Sequence, residues 1–204
     1  MRKKKQKVSK QEGTEDPNLL ESLVMVDVPP MRAVSLFGNL DDEQMQDVCQ
    51  GLLYLKHTCQ EEDTEIIEPI DFYISTWGGD ALGMFAVYDL MRMMREECPI
   101  HTFGIGKVMS AGVLLLSAGT KGKRRIGKNT RIMMHSVRGS HYGNIHSLQN
   151  EMDETRWIQQ QHIDALVTET KLTKTKLNNM LNKKVDIYLS AEDAIRLGIA
   201  DIII

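Results

Sequence analysis

Several things are missing from this sequence, and each absence removes a class of function. There is no basic excess: the 204 residues carry a formal net charge of −3, so the chain as a whole does not draw nucleic acid electrostatically. The three cysteines, Cys49, Cys59 and Cys98, are odd in number and lack metal-ligand spacing. That excludes a disulfide framework or a zinc site, and it fits a reduced cytosolic compartment with the thiols as packing residues. No apolar run approaches the length needed to cross a bilayer. The basic start, Met1 to Lys7, has no apolar stretch behind it and so is not a secretory signal. There is no internal repeat, and one composition break, at the end of a polar tail spanning residues 1–18.

What remains is 42% hydrophobic residues in a length suited to one domain, 19–204, behind that flexible tail. Leu19–Val28 is an apolar lead-in stopped by Pro29-Pro30. From Arg32 onward strands alternate with helices, which specifies an α/β fold. Strands are predicted at 32–38, 70–75, 100–105, 131–134 and 199–204. Helices are predicted from Asp41 or Asp42 to about Lys56, after Gly79, after Ser110, over 145–170 and over 173–181. A final helix opens on a capping box, Ser190 to Asp193, and stops at Gly198. Gln60–Glu68 reads as an acidic surface loop. Lys121–Lys128 is basic but has no aromatic residues interleaved, so it reads as a solvated loop rather than a nucleic-acid patch.

The chain is organised around Gly104–Gly119. A β-rich run enters a glycine-bearing turn, which delivers Ser110 to the start of a compact apolar helix. Ala111 and Gly112 leave its hydroxyl uncrowded. A helix start is where free N–H groups favour negative charge, as an oxyanion requires. The same residue read alone is an ordinary N-cap, with the glycines as turn residues. Other chemistry-bearing residues also fall at strand ends: Gly78 and Gly79 after one strand, His135 after another, Asp186 before the capping box. Strand ends are where α/β proteins assemble sites from distant positions. A nucleophile, a base and an orienting carboxylate are thus available in the order Ser, His, Asp.

Five motifs sharpen this reading. Tyr73–Gly79, Gly106–Gly112, Ala118–Arg124, Asn129–His135 and Leu189–Ala194 resemble, in order, the proteolytic subunit of the Clp protease family over about Arg32 to Ile204. The resemblance implies a spiral of β-β-α units, shared with the crotonases, and a long handle helix. It implies Ser110 as nucleophile, His135 as general base and Asp186 as third triad member. The oxyanion hole would be the N–H groups of Gly79 and Ala111. Substrate would bind as an added strand near Gly78, Val137 and Arg138. No metal or cofactor is implied in this chain, since ATP is used by a partner, an AAA+ unfoldase. The substrates would be unfolded polypeptides, cleaved by a cytoplasmic ring, a heptamer pairing into a tetradecamer, with no membrane or nucleic-acid partner.

The sequence departs from the family pattern at Trp77, where Pro is usual, and at Ser136-Val137, where Gln-Pro is usual. Arg138 replaces an apolar residue, Asp71 and Arg125 fall where aromatics are common, and no Arg follows Asp186. Two alternatives share the fold: a catalytically silent ring subunit, which would lack part of the triad, and a crotonase-like acyl-CoA enzyme, which would not need all three residues.

Overall fold

The computed structural model describes residues 31–58, 67–183 and 185–204. The expected tail, the lead-in to Pro30, Cys59 and most of the acidic loop lie outside the described residues. From Arg32 on the chain is a mixed α/β unit with seven strands and six helices among the described residues.

The core sheet is parallel. Strands β1 (Ala33–Leu40), β2 (Ile70–Gly79) and β3 (Ile100–Met109) lie side by side, followed by β4 (Arg125–Ile126) and β7 (Ile202–Ile203). Their connections carry α1 (Asp42–His57) and α2 (Ala81–Met94), as parallel neighbours require a crossover. Strand β2 alternates with period two: Ile70, Phe72, Ile74 and Thr76 are buried, while Asp71, Tyr73, Ser75 and Trp77 are half-buried or exposed. This sheet therefore has one covered face, unlike the continuous apolar strands of sheets wrapped on both sides. The covered face packs on α1, α2 and α3 (Ala111–Ser117), and all seven residues of α3 are buried.

Helix starts match the sequence closely. Asp41 caps α1 through the Gln44 N–H at 2.9 Å, and Asp80 caps α2 through the Gly83 N–H. The capping box at Ser190 and Asp193 opens α6 (Ala191–Leu197), which Gly198 ends in a left-handed conformation. Helix α4 runs Ile145–Glu169, exposed over its first half and buried near its end, and α5 (Lys174–Leu181) follows.

Two expectations about the chain change. Strand β3 does not end at Ile105; it continues to Met109, because its end has a second neighbour. At Phe103 and Gly104 it pairs with β4, and from Lys107 to Met109 it pairs with β5 (Arg131–Met134). Gly106 (φ +69°) makes the bend between the two. The basic run is not a free loop either. It contains β4, and three of its cations are engaged: Arg124 is 4% exposed and pairs with Asp201, Lys121 reaches Glu169, and Arg125 lies over the Phe103 ring. Strand β6 (Ile187–Leu189) completes the sheet antiparallel to β5.

Candidate active site

Strand β3 hands the chain directly to Ser110, which takes φ 53° and ψ −119°. Ser110 is the one non-glycine residue with positive φ among the described residues. Such a backbone costs roughly 1–3 kcal/mol and persists only where its surroundings enforce it. Here they do: the Ser110 N–H donates to the Met133 carbonyl at 2.8 Å, tying the turn to β5. Beneath it lies Gly78 (φ +94°), where a Cβ would stand 2.5 Å from the Ser110 Cβ. Any side chain there would displace the serine. Ser110 occupies the N-cap position of α3, yet its side chain makes no capping hydrogen bond. The hydroxyl is therefore not committed to the helix.

Ser110 lines a cleft of about 490 Å³ together with Gly79, Ala111, His135, Val137 and Arg138. Residues from β2, from the β3–α3 junction and from the segment after β5 thus meet at one opening. Ala111 is the first residue of α3, where the N–H has no partner inside the helix. At Gly79 a Cβ would stand 2.0 Å from the Leu40 carbonyl oxygen, so the close approach of β1 and β2 requires glycine.

His135 Nδ1 lies 2.5 Å from the Ser136 carbonyl oxygen. A carbonyl only accepts, so Nδ1 carries the proton and Nε2 is left as the basic nitrogen. That is the tautomer a general base needs. Asp186 lies outside the cleft lining and accepts a hydrogen bond from Arg138. The pairing explains why His135 and Asp186 leave the sheet at one end: β5 and β6 pair Met134 with Ile187 as their last step, and these two residues adjoin that pair. The structure thus places Ser110, His135, Gly79, Ala111, Val137 and Arg138 at one cleft, while Gly78 lies against Ser110 outside the lining and Asp186 lies outside it in the hold of Arg138.

Sequence reasoning missed two residues of α4. Gln159 accepts from the Val137 N–H at 2.6 Å and so fixes the segment after His135. His162 also lines the cleft, only 8% exposed. Burial and the neighbouring His135 push its pKa down to about 4, so it is neutral at ordinary pH. The signal was present: His162 stands four residues after Ile158 and four before Leu166, on the helix's apolar stripe. Nε2 of Gln159 and Nε2 of His162 are buried without a partner.

Among the described residues no group of three His, Cys, Asp or Glu is placed to hold a metal ion, and no helix is long and apolar enough to cross a membrane.

Residues 23–204 match the sequence profile of the Clp protease family. The chain belongs to that family. A curated relative, the ATP-dependent Clp protease proteolytic subunit of Deinococcus radiodurans, is 33% identical over 137 residues. The match covers 67% of this chain and 65% of the relative, just under two thirds of its length. The α/β fold with a largely parallel sheet agrees with this membership.

Proposed function

We propose that this Clp protease family member is a serine endopeptidase acting on unfolded polypeptides. The observation that carries the reading is Ser110, held in a positive-φ turn with its hydroxyl released from helix capping, in one cleft with His135. Strain of this kind exposes a nucleophile at a strand-to-helix turn.

The residues divide the work as follows. Nε2 of His135 takes the Ser110 proton as Oγ attacks the scissile carbonyl, then returns it to the leaving amine. Backbone N–H groups of Gly79 and Ala111 hold the oxyanion, where charge develops in the transition state. Asp186, acting on His135, stabilises the imidazolium formed in between. The peptide lies extended between the segments after Gly79 and after His135, with Gly78, Val137 and Arg138 along its path.

Assembly belongs to the same reading. Ile145 and Met152 are exposed apolar residues two turns apart on one face of α4, which a partner copy would cover, and Trp157 is exposed further along the helix. A heptameric ring able to pair into a tetradecamer would close the clefts inside a chamber. An AAA+ unfoldase using ATP would feed it, docking at the stacked Tyr73 and Phe103 rings, 4.6 Å apart on the open sheet face. Such a cytoplasmic machine needs no cofactor in this chain, and the peptidase domain is 19–204.

The test is labelling with a fluorophosphonate probe, which reacts only with an activated serine. Labelling at Ser110, lost in Ser110→Ala, is the expected result; an unlabelled native protein would overturn the reading. Light scattering over a concentration series tests assembly, and a monomer at every concentration would refute the ring.

A further inference from the structure

His135 and Asp186 adjoin the last β5–β6 pair, Met134 with Ile187, yet each is engaged elsewhere. Nδ1–H of His135 donates to the Ser136 carbonyl, and Asp186 Oδ1 accepts from Nη2 of Arg138. Among the described residues neither has another hydrogen-bond partner. The Ser136 carbonyl fixes the tautomer of His135 but brings no negative charge to the imidazolium. A carboxylate would hold the same N–H more strongly, since charge-assisted hydrogen bonds are about twice as strong as neutral ones. The arrangement is therefore competent but short of its best.

What keeps it there is exposed. The Arg138 side chain is 66% accessible at the rim of the cleft, and that of Asp186 is 32% accessible. Ion pairs this open to solvent are weak and exchange readily. A guanidinium forks onto any carboxylate of suitable geometry, whether the protein's or the substrate's.

We propose that Arg138 is a latch on Asp186: an acidic substrate side chain beside the scissile bond takes its guanidinium, freeing Asp186 to bind His135. This inference rests on the peptidase reading above and adds to it a substrate class. Arg138 is then a positioning residue, acting on the chemistry through Asp186 and His135. Acidic residues in the cleft lining limit how much acid it accepts. Glu151 is 3.5 Å from His141 and so partly answered, but Glu154 also lines the cleft. One acidic residue at the Arg138 rim accelerates cleavage, whereas a run of acids meets Glu154.

The experiment uses the native full-length protein and two fluorogenic peptides that differ only by Glu or Gln next to the scissile bond. The native protein cleaves the Glu peptide with a kcat roughly five- to tenfold higher, the difference between charged and neutral hydrogen bonds. Arg138→Gln raises kcat on the Gln peptide by a similar factor and brings the ratio to about one. A neutral fluorophosphonate, which carries no carboxylate, labels Ser110 faster in Arg138→Gln than in the native protein. A variant slower on both peptides and on the probe would show that Arg138 supports Asp186 instead, and would overturn the latch. So would an unchanged Glu-to-Gln ratio, or one that resides in KM alone. Failure of the probe to label Ser110 in either protein removes the peptidase reading itself. Labelling with an unchanged ratio removes only the latch.

Discussion

Helix α4 carries two buried polar clusters, about two turns apart, and they are built on opposite plans. At its C-terminal end the Glu169 carboxylate, 1% exposed, accepts from Tyr88 at 3.1 Å, Arg95 at 3.0 Å and Lys121 at 2.7 Å. Its backbone carbonyl accepts from Lys121 and from Arg124 at 2.8 Å. Burial alone would raise this carboxyl, but Arg95 and Lys121 outweigh it and hold it below the usual range. Two turns earlier, Gln159 and His162 each leave a buried nitrogen unmatched beside the cleft. A buried polar group without a partner costs about 1–3 kcal/mol, so native structures rarely keep one. The contrast separates scaffold from site: the first cluster pins the helix to α2 and the segment before β4, whereas the second leaves buried hydrogen-bonding capacity unmatched beside the cleft.

Substitutions should break this contrast along different axes. The largest effect expected is on turnover: Ser110→Ala lowers peptide hydrolysis about a thousandfold or more. It leaves the melting temperature nearly unchanged, as fluorogenic peptide assays beside thermal melts will show. Glu169→Gln acts the other way. Stripping the carboxylate from Arg95 and Lys121 destabilises the fold by about 3 kcal/mol, while turnover per folded molecule persists. Chemical denaturation measures this, and a variant as stable as the native chain would mean that Glu169 does not anchor α4.

Acid separates the clusters again. His162 titrates near 4 in the folded chain and near 6.5 when unfolded, so between these values the unfolded state binds more protons. The stability of the neutral histidine is whole above pH 6.5 and is lost as pH falls toward 4, a difference of about 3 kcal/mol. Glu169, with its carboxyl held low, loses its contribution only below about pH 4.5. His162→Phe should therefore flatten stability between pH 6.5 and 4.5 and leave the lower acid limb in place, as denaturation midpoints across pH will read. The smallest effect expected is outside both clusters. The Lys107 ammonium lies 4.9 Å from the centre of the exposed Trp77 ring, and Lys107→Ala should cost about 0.5 kcal/mol.

What could be read from the residues alone follows the reach of each interaction. The span of α4, predicted over 145–170 and observed as Ile145–Glu169, rests on local periodicity and the Asn144 cap. The caps at Asp41 and Ser190 are likewise local, each a side chain meeting an N–H three residues on. The extension of β3 to Met109 was hidden because its final pairing is with β5, more than twenty residues away. Strand β4 was hidden by its charge. Nothing in Lys121–Lys128 announces that Asp201 and Glu169 wait for its cations. Motif order singled out Ser110, His135 and Asp186, and the structure brings the first two to one cleft with Asp186 outside its lining. The grip of Arg138 on Asp186 was not legible, because it joins a loop after β5 to the segment before β6. Its nature as a contact between loops leaves no periodicity to read.

The turn at Ser110 has a consequence for how this protein answers to selection. Glycine populates positive φ freely, so Ser110→Gly releases the backbone strain of roughly 1–3 kcal/mol, less about 0.5–1 kcal/mol for the looser unfolded chain. No capping bond is forfeited with the hydroxyl. The glycine variant should therefore be the more robust molecule, by about 1 kcal/mol, and a few degrees more heat-resistant. Left to drift for durability alone, the chain would discard its serine at this position. The gap in melting temperature between the two forms would measure how far activity, and not endurance, governs that residue.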